Sequence, residues 1–528
     1  GAFAGCAATH RLDFSEVRAP GQYRIVAGDV VSPTFVVAAD AYAGAADTLL
    51  YYMRQQRSLY NPFYRDSVHQ HTDALLVDHP TRTGEFIPVA GGWADAADYL
   101  QYVTTSAHAT TMMLLAYRDH GLAFTDRFDA AGLPGDNALD DVLDEARWGL
   151  EWLLRMFPED GLLLNQIGDD RDHMHADLLT ADSSDYGWGM GGFRPVYPCT
   201  GEPQGLFEHR NRSDGLASTA GKFAAAMAFG AQLFAERDPE FAATLGAKAR
   251  SAYALGRDRP GVCQTAPGRA PYFYEEANWI DDMELAAAAL YALTGEPSFK
   301  VQGLEYAAAE PVTPWMGRDT ARHYEFFPWH NQGHYELWRA ARSHATDAAA
   351  PLASDVASLA DFYAQGLAAV AERARTNAFR VGIPFIWCSN NLMASFATQA
   401  YLYRRMTGDD QFRDVEAAAL DWLFGVNPWG VSMVIGLPAD GNTPRDPHSI
   451  AAMKLGVDTQ LGGLVDGPVY RSIFENLMYI ELHEPDEYAA FNTGFIVYHD
   501  DRGDYSTNEP IMDGTGNLTY LLGAMAGG

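Results

Sequence analysis

From about residue 40 onward, apolar residues recur at spacings of three and four, the period of a helix that buries one face. The spacing predicts twelve helices, over residues 42–56, 102–119, 139–157, 215–236, 239–255, 281–294, 298–309, 331–344, 352–374, 390–406, 412–424 and 514–526. Twelve helices pair into six hairpins, and six hairpins can close into a ring. The long connections at 57–100, 158–214, 310–330 and 426–512 are rich in Gly, Pro, Asp and aromatic residues. Long loops in a compact helical domain usually carry function, so they are expected to form a groove at one end of the ring. No linker or low-complexity stretch interrupts the pattern, which predicts one large helical domain.

Residues 11–38 read differently. Leu12, Phe14, Val17, Tyr23, Ile25 and Phe35-Val36-Val37 alternate around the turns Pro20-Gly21 and Ser32-Pro33, as strands do. The net charge of −32 repels phosphates and excludes a general nucleic-acid binder. No run of eighteen apolar residues is present to span a membrane. Cys6, Cys199, Cys263 and Cys388 are far apart and fit no metal-ligand spacing.

The stretch Gly91-Gly92-Trp93-Ala94-Asp95-Ala96-Ala97-Asp98-Tyr99 sets two carboxylates three residues apart, after a glycine turn and before a helix-forming run. Aspartate there is either a helix cap or, held ionised by the positive end of the helix, half of a pair that grips a water and takes its proton. Glu509 follows Asp500, Asp501, Asp504, Tyr505 and Asn508. It is either part of a solvated acidic turn or a glutamate among other acids, partly buried by aromatics, whose pKa is raised so that it can donate a proton. An acid and a base across a cleft are what glycoside hydrolysis requires. Trp188, Trp329, Trp338, Trp387, Tyr186, Tyr324 and Tyr505 lie in or beside the loops, as sugar-stacking surfaces or as core. His69, His71, Asp73 and His79 offer ligands that zinc accepts. Asp281 and Asp282, with Ser213, Asp214 and Glu284 as candidate neighbours, are either hard-oxygen ligands for calcium or a charged first helical turn.

Residues 91–99 resemble the Gly-Gly-Trp-His-Asp-Ala-Gly-Asp-Tyr signature of glycoside hydrolase family 9, mostly cellulases, and residues 504–509 resemble its terminal Asp-Tyr-x-x-Asn-Glu signature. Gln166 to His173, Ser213 to Lys222, Asn427 to Gly436 and Pro447-His448 fall between them in the family's order. The resemblance covers about residues 40–526. It implies an all-α (α/α)6 barrel over residues 39–528, preceded by a short β remnant, residues 1–38, of an immunoglobulin-like sandwich. It also implies an inverting endo-β-1,4-glucanase acting on cellulose-like or mixed-linkage β-glucan, with Asp98 as general base, Asp95 helping to hold the water and Glu509 as general acid. His173 and His448 match sugar-contacting positions, and Trp329 and Tyr505 are their expected neighbours. An exo-acting member, releasing cellobiose, glucose or glucosamine, and a non-catalytic carbohydrate-binding protein are the rival readings. A secreted or periplasmic monomer with no nucleic-acid or membrane partner is expected.

The departures from the family pattern are specific. Ala94 stands at its usual His, Ala97 at its Gly, and Pro447-His448-Ser449-Ile450 at its Pro-His-His-Arg. Ser58 and Val68 occupy the cysteine positions of a zinc site. Zinc is therefore not expected, although His69 and His79 remain. Calcium at Asp281 and Asp282 is loosely implied.

Overall fold

The computed structural model describes residue 3 and residues 6–69, 73–174, 177–345 and 354–527. Six helices, buried along most of their length, stand in a ring: Val103–His120, Ala217–Phe234, Ile280–Thr294, Gln332–Ser343, Ser389–Thr407 and Met512–Ala526. Each packs against the next, and the last packs against the first. Small residues set their spacing. A Cβ on Gly516 would lie 2.6 Å from the Ala109 Cβ, and one on Gly221 would lie 2.8 Å from Asp282.

Outside this ring lie Ala45–Gln55, Asp141–Met156, Pro239–Asp258, Pro297–Ala309, Ser354–Ala374 and Arg413–Leu423, each packed on an inner helix. They bury a stripe rather than a whole circumference, as surface helices do. All twelve expected spans carry a helix, and the fold is the (α/α)6 barrel.

Strands appear where loops were expected. Phe86–Pro88, Asp73–Leu76, Pro195–Pro198, Leu164–Ile167 and Gln101–Tyr102 form one sheet in that order. Each is only two to four residues long, too short for alternation to register. Gln166 lies opposite Tyr102 and Ile167 opposite Gln101. That register brings the segment after Ile167 against the loop before the helix at Val103.

Near the N-terminus, Gly21–Tyr23 pairs antiparallel with Phe35–Val37, and Val26–Ala27 pairs with Val30–Val31. These small, mostly exposed sheets are consistent with a β remnant. Among the described residues no helix is long and apolar enough to cross a membrane.

Candidate active site

The chain enters the site through Gly91 and Gly92, with φ of 114° and 75°. A Cβ on Gly92 would lie 2.5 Å from the Trp152 ring, so both backbone angle and space require glycine there. Trp93 is fully buried and its indole donates to Glu145 at 2.7 Å; it belongs to the core and not to a sugar-facing surface.

Asp95 and Asp98 sit on a loop, not at a helix N-terminus. The helix begins at Val103, and the Asp95 amide donates to the Leu100 carbonyl at 2.9 Å to close the turn. The expected helix-end stabilisation is therefore replaced by side-chain donors. Asp95 accepts from the Thr105 hydroxyl at 2.6 Å and from the Tyr274 phenol. It is 2% exposed, and burial, then the charges of Asp513 and Asp98, push its carboxyl well above the usual range. Asp98 accepts from the Leu100 amide at 3.1 Å and is partly open to solvent. Beside it lies a small open pocket lined by Ala97, Asp98, Tyr99, Ser449 and Ile450. Three of the departures noted above, at Ala97, Ser449 and Ile450, meet there, and Ala94 lines the same pocket.

Glu509 reaches this loop from the other end of the chain. Leu464–Val465 pairs antiparallel with Pro510–Ile511, the Asp466 amide donates to the Glu509 carbonyl at 3.0 Å, and the Met512 amide donates to the Asp95 carbonyl at 2.9 Å. So held, the Glu509 carboxylate accepts from the Ala97 amide at 2.9 Å, between the two aspartates in sequence. Burial, then Asp98, pushes its carboxyl up to about 8. The acids preceding it in sequence are not the cause. Asp500 accepts from the amides of Arg445 and Asp446, Asp501 from those of His483, Glu484 and Gly503, and Asp504 from Ser506, Thr507 and His499. They shape the loop that delivers Glu509.

His173 stands 3.5 Å from Asp98 through Nε2, while its Nδ1 donates to the Asp170 carbonyl at 3.1 Å and lies 3.1 Å from Asp172. Although half of its side chain is open to solvent, partial desolvation opposes its charge; Asp172 and Asp98 outweigh this and raise the imidazole to about 10. His448 Nδ1 donates to the Arg502 carbonyl at 2.5 Å, and its ring lies 6.0 Å from that of Tyr505. Tyr505 lies 5.3 Å from Trp387, whose indole donates to Asp466 at 2.8 Å. Trp387 is also stacked on His323 at 4.2 Å and is partly exposed.

Trp329 does not join it. It is 1% exposed and packed among Tyr324 and Phe327, so the expected sugar contact is a core residue. Tyr324 and Tyr186 are likewise buried, whereas Trp188 is 42% exposed.

The residues considered for metals fit neither ion. Lys222 donates to Asp282 at 2.7 Å and also to Glu276, so an ammonium holds the place beside Asp282 that calcium would need. Asp281 accepts from Asn278 at 2.8 Å, Glu284 contacts His334 at 2.8 Å, and Ser213 and Asp214 instead bind the amides of Gln264 and Val262. His69 contacts Ser58 at 2.8 Å and Arg194 at 3.3 Å, and burial pushes it down to about 4. His79 accepts from the amides of Thr81 and Arg82 within its own turn. Val68 pairs with Leu59 across a hairpin, and His71 lies outside the described residues. Among the described residues, no group of three or more His, Cys, Asp or Glu could hold a metal ion.

Sequence reading missed Thr105, Tyr274, Asp172, Asp466 and Asp513. Tyr274 is 179 residues from the carboxylate it contacts and carries no local motif. Asp172 adjoins His173 and was open to notice.

The profile of glycosyl hydrolase family 9 matches residues 42–522. Endoglucanase C of Cellulomonas fimi is 28% identical over 98% of this chain, which spans only 47% of that protein. A xyloglucan-specific endo-β-1,4-glucanase of Bacteroides ovatus is 24% identical over 97% of the chain and 84% of its own length. The crystal structure of a metagenome-derived family 9 endoglucanase superposes with a TM-score of 0.73 at 26% identity, covering 98% of this chain and 86% of the other.

Proposed function

The chain belongs to glycosyl hydrolase family 9, and from that premise we propose that it hydrolyses β-1,4-glucosidic bonds within cellulose-like or mixed-linkage glucan chains, with inversion at the anomeric carbon. One observation carries the assignment of the reacting groups: Glu509 is hydrogen-bonded to the amide of Ala97, within the loop that bears Asp95 and Asp98. Glu509, pushed up to about 8, keeps its proton at neutral pH and serves as the acid that protonates the leaving oxygen. Asp98, partly open to the pocket, is the base that takes a proton from water. Asp95, buried and bound to Thr105 and Tyr274, fixes the loop and helps hold that water. His173, His448 and Tyr505, with Trp387 beside them, contact the sugars.

Internal cleavage is supported by the endoglucanase names of the two relatives. Residues 1–38 are proposed as the end of an immunoglobulin-like module, and the protein as a secreted or periplasmic monomer. Among the described residues, the candidate calcium ligand Asp282 is engaged by Lys222 and the candidate zinc ligand His69 by Arg194, which supports a reaction without an ion at either place.

Soluble cellulose, mixed-linkage glucan, xyloglucan, xylan and chitosan provide the test. Viscosity should fall early relative to reducing ends on one of the first three, and NMR should detect the α-anomer first. First-formed β-anomer would reject the mechanism, and turnover of chitosan alone would reject the substrate class.

A further inference from the structure

Asp172 has no place in the reaction so far, yet it is a buried carboxylate at the edge of the site. It is 2% exposed, and neither oxygen has a hydrogen-bond partner among the described residues. Its nearest cationic neighbour is His173, whose Nδ1 is 3.1 Å away. Arg194 is engaged elsewhere, with Gln101 at 2.7 Å and the Tyr99 carbonyl. Burial pushes the Asp172 carboxyl well above the usual range, and the charge of His173 is the largest influence drawing it back toward the ionised form.

The His173 ring adds a constraint. Nδ1 gives its hydrogen to the Asp170 carbonyl at 3.1 Å, so Nε2 meets Asp98 at 3.5 Å either with a lone pair or with a second proton. A lone pair there would face a carboxylate; a proton makes an ion pair. Two carboxylates near one another resist joint ionisation, and a fixed cation beside one of them decides which is charged.

We propose that Asp172 is a positioning residue of the catalytic site: its buried carboxylate holds His173 as an imidazolium, and that cation makes Asp98 the ionised member of the Asp98–Glu509 pair. The inference rests on the roles proposed above for Asp98 and Glu509. Other groups facing His173 are Glu509 and His448, and Asp169 and Arg194 face Asp172. Of these acids, Glu509 is anchored by the neutral amide of Ala97, leaving Asp98 as the closest anion to Nε2.

The test reads His173 directly and needs no substrate. Diethylpyrocarbonate acylates neutral imidazole only, and His173 has a half-exposed side chain. Acylation of the His173 peptide, followed by mass spectrometry across pH, should begin in the parent only toward about 10 rather than near 6.5. Asp172→Asn should raise the rate at neutral pH at least about tenfold, one unit of imidazole pKa, whereas Asp172→Glu should stay close to the parent. On glucan, Asp172→Asn should lower kcat about tenfold or more with KM little changed. Equal acylation of the parent and Asp172→Asn would overturn the proposal. If that variant does not fold, parent acylation beginning near 6.5 would overturn it instead. Lack of glucan hydrolysis by the parent would reject the functional reading while leaving the acylation result to stand.

Discussion

Two carboxyls three residues apart in sequence, Asp95 and Asp98, have different surroundings. Asp95 is buried under Thr105 and Tyr274, while Asp98 borders the pocket and His173. Glu509→Gln and Asp98→Asn should each lower kcat by about a thousandfold, within the range for general acid–base groups, with unchanged melting temperatures; turnover near that of the parent in either would reject its role. Trp329 gives a contrasting prediction. Since it is 1% exposed, Trp329→Phe should leave KM for glucan unchanged and cost about 1–3 kcal/mol of stability by urea unfolding, as partial core truncations do. A large rise in KM with no loss of stability would restore it as a sugar contact. Residue types at motif positions were legible in the sequence; which aromatic rings face a sugar was not, because exposure depends on what packs on each ring.

At the level of elements, the Gly91–Gly92 turn and the strand Leu464–Val465 are what bring the acids together. Gly92 combines a left-handed backbone with a 2.5 Å approach to Trp152. Gly92→Ala should cost about 2–4 kcal/mol from backbone strain and overpacking, and activity should fall further than stability because the loop bearing Asp95 and Asp98 must move. Denaturant unfolding and initial rates on glucan check both, and a variant as active and stable as the parent would contradict the packing argument. The twelve helices were readable from spacing alone, since each repeats its period over three or more turns. The five-stranded sheet was not, because its strands are too short to display a period and are held by pairing across distant segments.

Across the whole molecule, the barrel interior holds a cluster of acids around one ammonium. Lys222 is 3% exposed and bridges Glu276 and Asp282. Chelation by EDTA should therefore leave the melting temperature unchanged, while Lys222→Met, which leaves buried acids uncompensated, should cost about 3–5 kcal/mol. A fall in melting temperature on chelation, reversed by calcium, would show that an ion is needed after all. Glu310 carries a pH dependence. Burial, then Asp282 and Glu284, outweighs its contact with Asn278 and raises it from 4.5 to about 8. The folded chain then holds a proton between those values that the unfolded chain has released. This group's stabilisation is full below 4.5 and lost as pH rises through about 8. Glu310→Gln should flatten the fall of melting temperature with pH over that window, and an unchanged slope would place the titration elsewhere.

The sequence by itself determined the ring of helical hairpins and the two acidic signatures, because both are written in local spacing. It also marked the departures at Ala94, Ala97, Ser449 and Ile450, which the structure gathers around one pocket. Only the tertiary structure decided protonation, ring exposure and the fate of the metal-ligand candidates. Those depend on burial and on charges arriving from other segments, as when a carboxylate meets an amide 412 residues away, and no periodicity along the chain records such a meeting.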